Sequence, residues 1–82
     1  MIPPVPIYLE RNDPSRNMAR FYALEIETDL FGSVVAIRRW GRIGTMGQSL
    51  SMVCASTGEA RDMIEATARS KRRRGYVPRE SS

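Results

Sequence analysis

Polar and apolar residues alternate most clearly in the first half of the chain. Tyr22, Leu24 and Ile26 are interleaved with Ala23, Glu25 and Glu27, the period of two that gives a strand one dry face and one wet face. This predicts a long strand from Asn17 to Asp29. Leu30-Phe31-Gly32-Ser33 follows as a hairpin turn, with glycine where a left-handed backbone is needed. Ser33 to Trp40 is the next predicted strand, with Val35 and Ile37 on one face and Val34, Ala36, Arg38 and Trp40 on the other. Upstream, Ile7 to Arg11 reads as a short first strand, and Asn12-Asp13-Pro14-Ser15 carries turn chemistry. Downstream, Leu50, Met52 and Cys54 alternate with Ser49, Ser51 and Val53, which continues the meander.

After Ala55 the period changes. Ser56 stands three residues before Glu59, the spacing of a capping box, with Thr57 as the alternative cap. Ala60, Met63, Ile64, Thr67 and Ala68 then recur at helical spacing, which predicts a helix running to about Arg73. Lys71 to Arg74 sit where cations favour the negative end of the helix dipole, and Gly75 suits a left-handed stop. Tyr76-Val77 either adds a short strand or packs back on the sheet. The expected fold is α+β: an antiparallel sheet of four or five strands with one C-terminal helix packed on one face. It forms a single domain over residues 7–77. A proline-rich tail (1–6) precedes it and a loose tail (78–82) follows. The hairpin brings Glu25 and Glu27 near the arginines of the next strand, in a register that the pattern leaves open.

The residue inventory narrows the chemistry. The 82 residues include one cysteine and no histidine, so an internal disulfide, a Cys/His zinc site and histidine-based catalysis are excluded. Cys54 lies within an apolar alternation and reads as a buried structural thiol rather than a nucleophile. The acidic residues are scattered, with no D-x-D or E-x-x-H cluster. The expectation is a non-enzymatic protein with no cofactor, no metal and no small-molecule substrate. The N-terminus has neither a basic n-region nor an apolar h-region, and no apolar run approaches the roughly 20 residues of a membrane span. The expected location is the cytoplasm, with no membrane partner.

Charge adds a partner class. The first 37 residues hold three arginines against five acids, and the remainder holds ten cations against four acids. Twelve of the thirteen cations are arginine, whose planar fork fits phosphate bidentately and stacks on rings. With a pI near 10.0, this imbalance points to a polyanion, against the alternative of a solvated basic face that aids solubility.

Aromatic, cationic and glycine residues meet in one stretch, Arg38-Arg39-Trp40-Gly41-Arg42-Ile43-Gly44-Thr45-Met46-Gly47-Gln48. It lacks the Lys-Ser/Thr of a P-loop and the G-x-G-x-x-G order of a dinucleotide site. Gly41-Arg42-Ile43-Gly44 matches the G-x-x-G loop of KH domains, but that loop joins two helices and here a strand precedes it. Trp40 reads either as a core ring or as an outward stacking platform ringed by guanidiniums. Arg39 reads either as a phosphate ligand or as a surface partner of Glu25 or Glu27.

The ordered motifs carry a resemblance. Trp40-Gly41-Arg42, Ile43-Gly44 and Gly47-Gln48, together with Tyr8-Leu9-Glu10-Arg11, Asp13-Pro14, Asn17, Arg20-Phe21-Tyr22, Leu30-Phe31-Gly32 and Lys71 to Tyr76, resemble the WGR domain family in sequence order. That family occurs in DNA-damage-dependent poly(ADP-ribose) polymerases and as small bacterial proteins, and this chain resembles the stand-alone bacterial kind. The resemblance implies the same α+β arrangement and a DNA-facing Trp40 that stacks on a terminal nucleotide. Carried onto this sequence, the candidate DNA-binding residues are Trp40, Gly41, Arg42, Arg38, Arg39, Lys71, Arg72, Arg73 and Arg74. The implied ligand is a DNA end, nick or gap, bound with little sequence preference at the nucleoid. The family's interdomain role leaves an acidic protein partner open, for Arg42 in particular, and a general RNA or single-strand binder is a further alternative.

Overall fold

The computed structural model describes residues 6–78. The expected tails therefore fall outside the described residues, apart from Pro6 and Pro78. The elements are β1 (Ile7–Asp13), a 3-10 turn (Pro14–Arg16), β2 (Met18–Thr28), β3 (Val34–Arg42), β4 (Gln48–Cys54), α1 (Thr57–Arg73) and β5 (Val77–Pro78). The five strands form one antiparallel sheet in the order β4-β3-β2-β1-β5, and α1 covers one face.

Turn chemistry sets the register. At the β2–β3 hairpin the Asp29 carboxylate accepts from the Phe31 and Ser33 amides at 2.9 and 2.8 Å, and Gly32 takes φ +82°. The hairpin pairs Tyr22 with Trp40, Glu25 with Ile37 and Glu27 with Val35. The two glutamates therefore face apolar residues across the strand, and no arginine stands directly opposite them. At the β1–β2 connection Asn17 adopts the left-handed conformation, φ 51°, which asparagine tolerates.

The predicted helix signals are all realised. The Ser56 hydroxyl accepts from the Glu59 amide, and the Glu59 carboxylate reaches back to the Ala55 amide. Gly75, at φ +97°, closes the C-terminal end. Ala60, Ile64 and Ala68 recur every four residues and are buried. The small Ala60 and Ala68 side chains let the helix backbone settle close to the sheet. Ile64 fills the space between them, against Ile7, Leu9, Tyr22 and Leu24. A second cluster joins Ala60 to Ala36 and Cys54, whose thiol lies 3.6 Å from the Met63 sulfur. Tyr76 packs on the first cluster while Val77 and Pro78 pair with β1, so both expectations for that segment hold. β4 differs from its alternating pattern. Only Cys54 in it is buried, because α1 does not extend over the outer edge of the sheet. Among the described residues no helix is long and apolar enough to cross a membrane.

The glycines of the central stretch build the β3–β4 turn. A Cβ on Gly41 would lie 2.7 Å from the Gly47 Cα, so the two backbones touch as only glycines can. Gly47 has φ +69°, and a Cβ there would meet the Trp40 carbonyl oxygen and the Phe21 ring. Phe21 is buried beneath this turn and stacks on Tyr8, with ring centroids 5.9 Å apart.

Two stability outcomes follow for urea denaturation. Ile64→Ala removes a buried side chain from the centre of the core and costs about 2–5 kcal/mol. Gly47→Ala costs more than about 1 kcal/mol, because the left-handed backbone and the Trp40 carbonyl both oppose the added methyl group.

Candidate nucleic-acid interface

The face of the sheet that carries α1 continues past the C-terminal end of the helix. Three aromatic side chains, Tyr22, Trp40 and Tyr76, collect there. Trp40 is half-buried and stacks on the buried Tyr22, with centroids 6.0 Å apart and planes 17° from parallel. Tyr76 meets Tyr22 edge-on at 6.3 Å. Trp40 is thus neither a sealed core ring nor a free one. One part rests on the core and the rest is open to solvent.

Cations surround this plate. The Lys71 ammonium stands over Tyr22, 4.6 Å from its centroid, and the Arg38 guanidinium lies 6.0 Å from the Trp40 centroid. The next row of the sheet toward the β1–β2 and β3–β4 turns is entirely basic. Arg11 on β1 pairs with Arg20 on β2, which pairs with Arg42 on β3. Strand alternation puts all three on the face of Leu9, Tyr22 and Trp40. Arg11 also runs beside Gly75 at the helix end. Like charges directly opposite one another destabilise a sheet. The ion pairs Arg16–Asp13 and Arg69–Glu65 involve none of these three arginines. Arg42 is steadied by Asn17, donating to its carbonyl at 3.3 Å and its side-chain oxygen at 3.4 Å.

The predicted residues divide. Arg38, Trp40, Arg42 and Lys71 share this face, and Arg74 is near enough to act electrostatically on Lys71. Arg72 and Arg73 are exposed in the last turn of α1. Arg39 projects from the opposite face, where it lines a hollow of about 240 Å³ with Tyr8, Phe21, Gly44, Thr45 and Met46. Gly41 serves the close contact with Gly47. Arg11, Arg20, Tyr22 and Tyr76 also stand on this candidate face, although the sequence did not single them out for it. A signal for three of them was present. Leu9-x-Arg11, Arg20-x-Tyr22 and Trp40-x-Arg42 repeat one spacing in alternating direction, as antiparallel strands require to align a core row beside a charged row.

The chain matches the model of the WGR domain over residues 5–82. It belongs to the WGR family. WGR domains are nucleic-acid-binding modules in proteins of the poly(ADP-ribose) polymerase type. The chain is also similar to a curated bacterial protein, "Uncharacterized protein y4dW" of Sinorhizobium fredii (strain NBRC 101917 / NGR234). The two are 49% identical over 78 residues, which is 95% of this chain and 38% of the relative. The WGR domain described here thus spans well under half of that relative's length.

Lys71 is the chain's single lysine, and its ammonium is held below the ordinary lysine pKa. Partial burial is the main cause, followed by repulsion from Arg74 and then from Arg38. As pH rises, the folded WGR domain releases this proton before the unfolded chain does. Between the lowered pKa and the ordinary value, the unfolded state therefore holds more protons and stability rises with pH. Heteronuclear NMR of the lone side-chain amine should show a midpoint below that of a free lysine. Arg74→Gln should raise it, and Arg38→Gln should raise it by less.

Proposed function

We propose that this WGR domain is a non-enzymatic module that holds DNA ends, nicks or gaps with little sequence preference, at the nucleoid. One observation carries the proposal: Arg11, Arg20 and Arg42 oppose one another on adjacent strands, directly beside the Tyr22–Trp40 stack. A folded chain tolerates such a row when a polyanion relieves it. Phosphates take up the guanidinium forks of these arginines and of Arg38. Lys71 and Arg72 to Arg74 extend the cationic surface along the helix end. Phosphate contacts carry no base identity, and among the described residues the one helix presents no row of base-reading side chains: three of its five basic residues stand in the last turn and Arg69 is paired with Glu65.

Trp40 supplies the selectivity for ends. Its ring stacks with Tyr22 and packs on the core cluster while staying partly open to solvent, so it offers a fixed surface for stacking. Inside an intact duplex each base face is already covered by its neighbours. The terminal base or sugar at an end, nick or gap is the one that can meet such a surface, a contact worth about 1–3 kcal/mol.

Arg39 favours a second surface. It stands apart from the other cations, beside Tyr8 and the 84% exposed Met46. A mixed aromatic, thioether and guanidinium lining suits an acidic protein segment better than a phosphate backbone. Arg39→Ala should leave DNA affinity within about threefold if this division holds, a change well under 1.4 kcal/mol.

The single tryptophan is the reporter for the main proposal. Titration with a nicked duplex should change Trp40 emission at low salt, and an intact closed circle should change it far less. With four to six phosphates engaged, the slope of log affinity against log salt is about −4 to −5. Arg20→Ala should reduce that slope by about one and weaken binding of all sequences alike. The same variant should melt at a higher temperature than the parent at low salt, with the difference vanishing as salt screens the row. An unchanged slope, or equal responses to nicked and closed DNA, would overturn the proposal.

A further inference from the structure

The two edges of the sheet are treated differently. At one edge β5 is two residues long and ends in Pro78, which cannot donate a ladder hydrogen bond. The other edge is β4, seven residues long, and among the described residues nothing blunts it. From Ile43 to Gly58 the chain has no charged residue and no proline, although 27% of all its residues are charged. Natural edge strands carry charges, prolines or bulges that keep other strands off. This one carries Gln48, Leu50, Met52 and Cys54 on the helix side and Ser49, Ser51 and Val53 on the other. Leu50 and Met52 stand on the helix side, 42% and 45% exposed, and Val53 on the other side is 68% exposed. Leu50 and Met52 also line a shallow groove under α1, together with Met63, Ile64 and Thr67.

We propose that β4 pairs with β4 of a second copy of this chain, antiparallel about a two-fold axis at Ser51, to make one continuous ten-stranded sheet. An antiparallel strand is its own hydrogen-bonding complement, and a two-fold axis through its midpoint closes the assembly at two copies. With the axis at Ser51, Leu50 of each copy lies opposite Met52 of the other, and Ser49 opposite Val53. On the helix face apolar side chains then cover apolar side chains, and the two grooves join across the axis. Charge selects the same partner. Each copy has a net charge of +4, and all of that charge lies outside the uncharged segment. Two copies can therefore meet along this edge without setting like charges against each other within the segment. The axis stands perpendicular to the sheet, so both helices and both Trp40 plates lie on one face, with the two basic ends pointing in opposite directions.

Sedimentation velocity on the full chain, across about a hundredfold range of concentration and at two salt concentrations, tests the pairing. The expected result is a monomer–dimer equilibrium that strengthens as salt screens the cationic ends, opposite in sign to the salt dependence of DNA binding. Ser51→Lys places two ammoniums at the axis and should weaken self-association about tenfold or more, with circular dichroism and nicked-DNA binding by the monomer retained. Ser49→Lys is the second variant if the first folds poorly. A chain that stays monomeric throughout the range, or one whose lysine variants associate as the parent does, overturns the proposal. Neither outcome touches the DNA-binding proposal, which is read separately from Trp40 emission.

Discussion

The register of β2 between β1 and β3 is the constraint on which the rest of the molecule depends. Successive side chains point to opposite faces, so a slip of one residue would exchange the two faces of the central strand. In the observed register Phe21 enters the hollow beneath Gly41 and Gly47 on one face, and Tyr22 meets Trp40 on the other. Both contacts have to be right together. The Asp29 turn at one end and the Gly41–Gly47 contact at the other hold β2 and β3 from both ends. The bulky rings leave no space for a shifted alternative.

That register also forces a conflict. The row that follows Leu9, Tyr22 and Trp40 consists of Arg11, Arg20 and Arg42, brought together by the same pairing that builds the core. The core cannot form without aligning the charges. Their repulsion is modest per pair and is screened by salt, and burial of Leu9, Leu24 and Ile64 outweighs it. Lys71 reports the same tension at the helix end, where burial and two neighbouring guanidiniums depress its pKa. Stability is given up at one end of the sheet, where an anion would return it on binding.

Much of the fold was legible from residue periodicity. Strand alternation, the Gly32 hairpin, the Ser56 cap and the Gly75 stop are local signals, each with a local physical cause, and the coordinates reproduce them. The ordered motifs were enough to name the family. What could not be read were the properties that depend on pairing. The register that sets Glu25 against Ile37 and the alignment of Arg11 with Arg20 and Arg42 depend on distances across strands, whereas the placement of Arg39 on the face away from Trp40 follows from alternation along β3 alone. The exposure of β4 was hidden for a related reason. Its alternation is that of a half-buried strand, but where the helix stops covering the sheet is decided by helix packing and not by the strand.

The tripeptide Trp40-Gly41-Arg42 divides its work between the two faces of β3. Gly41 belongs to the frame, since its missing side chain lets the turn fold back to Gly47 over Phe21. Arg42 has a double position, tied to Asn17 at the start of β2 and set at the end of the arginine row. Trp40 joins frame and surface, because one part of its ring completes the core and the rest is left open. A motif of this kind specifies a scaffold first. The cationic side chains around it come from β1, β2 and the end of α1, far away in sequence. On the proposed DNA-binding reading, Arg11, Arg20, Lys71 and Arg74 tune affinity while the tripeptide preserves the fold.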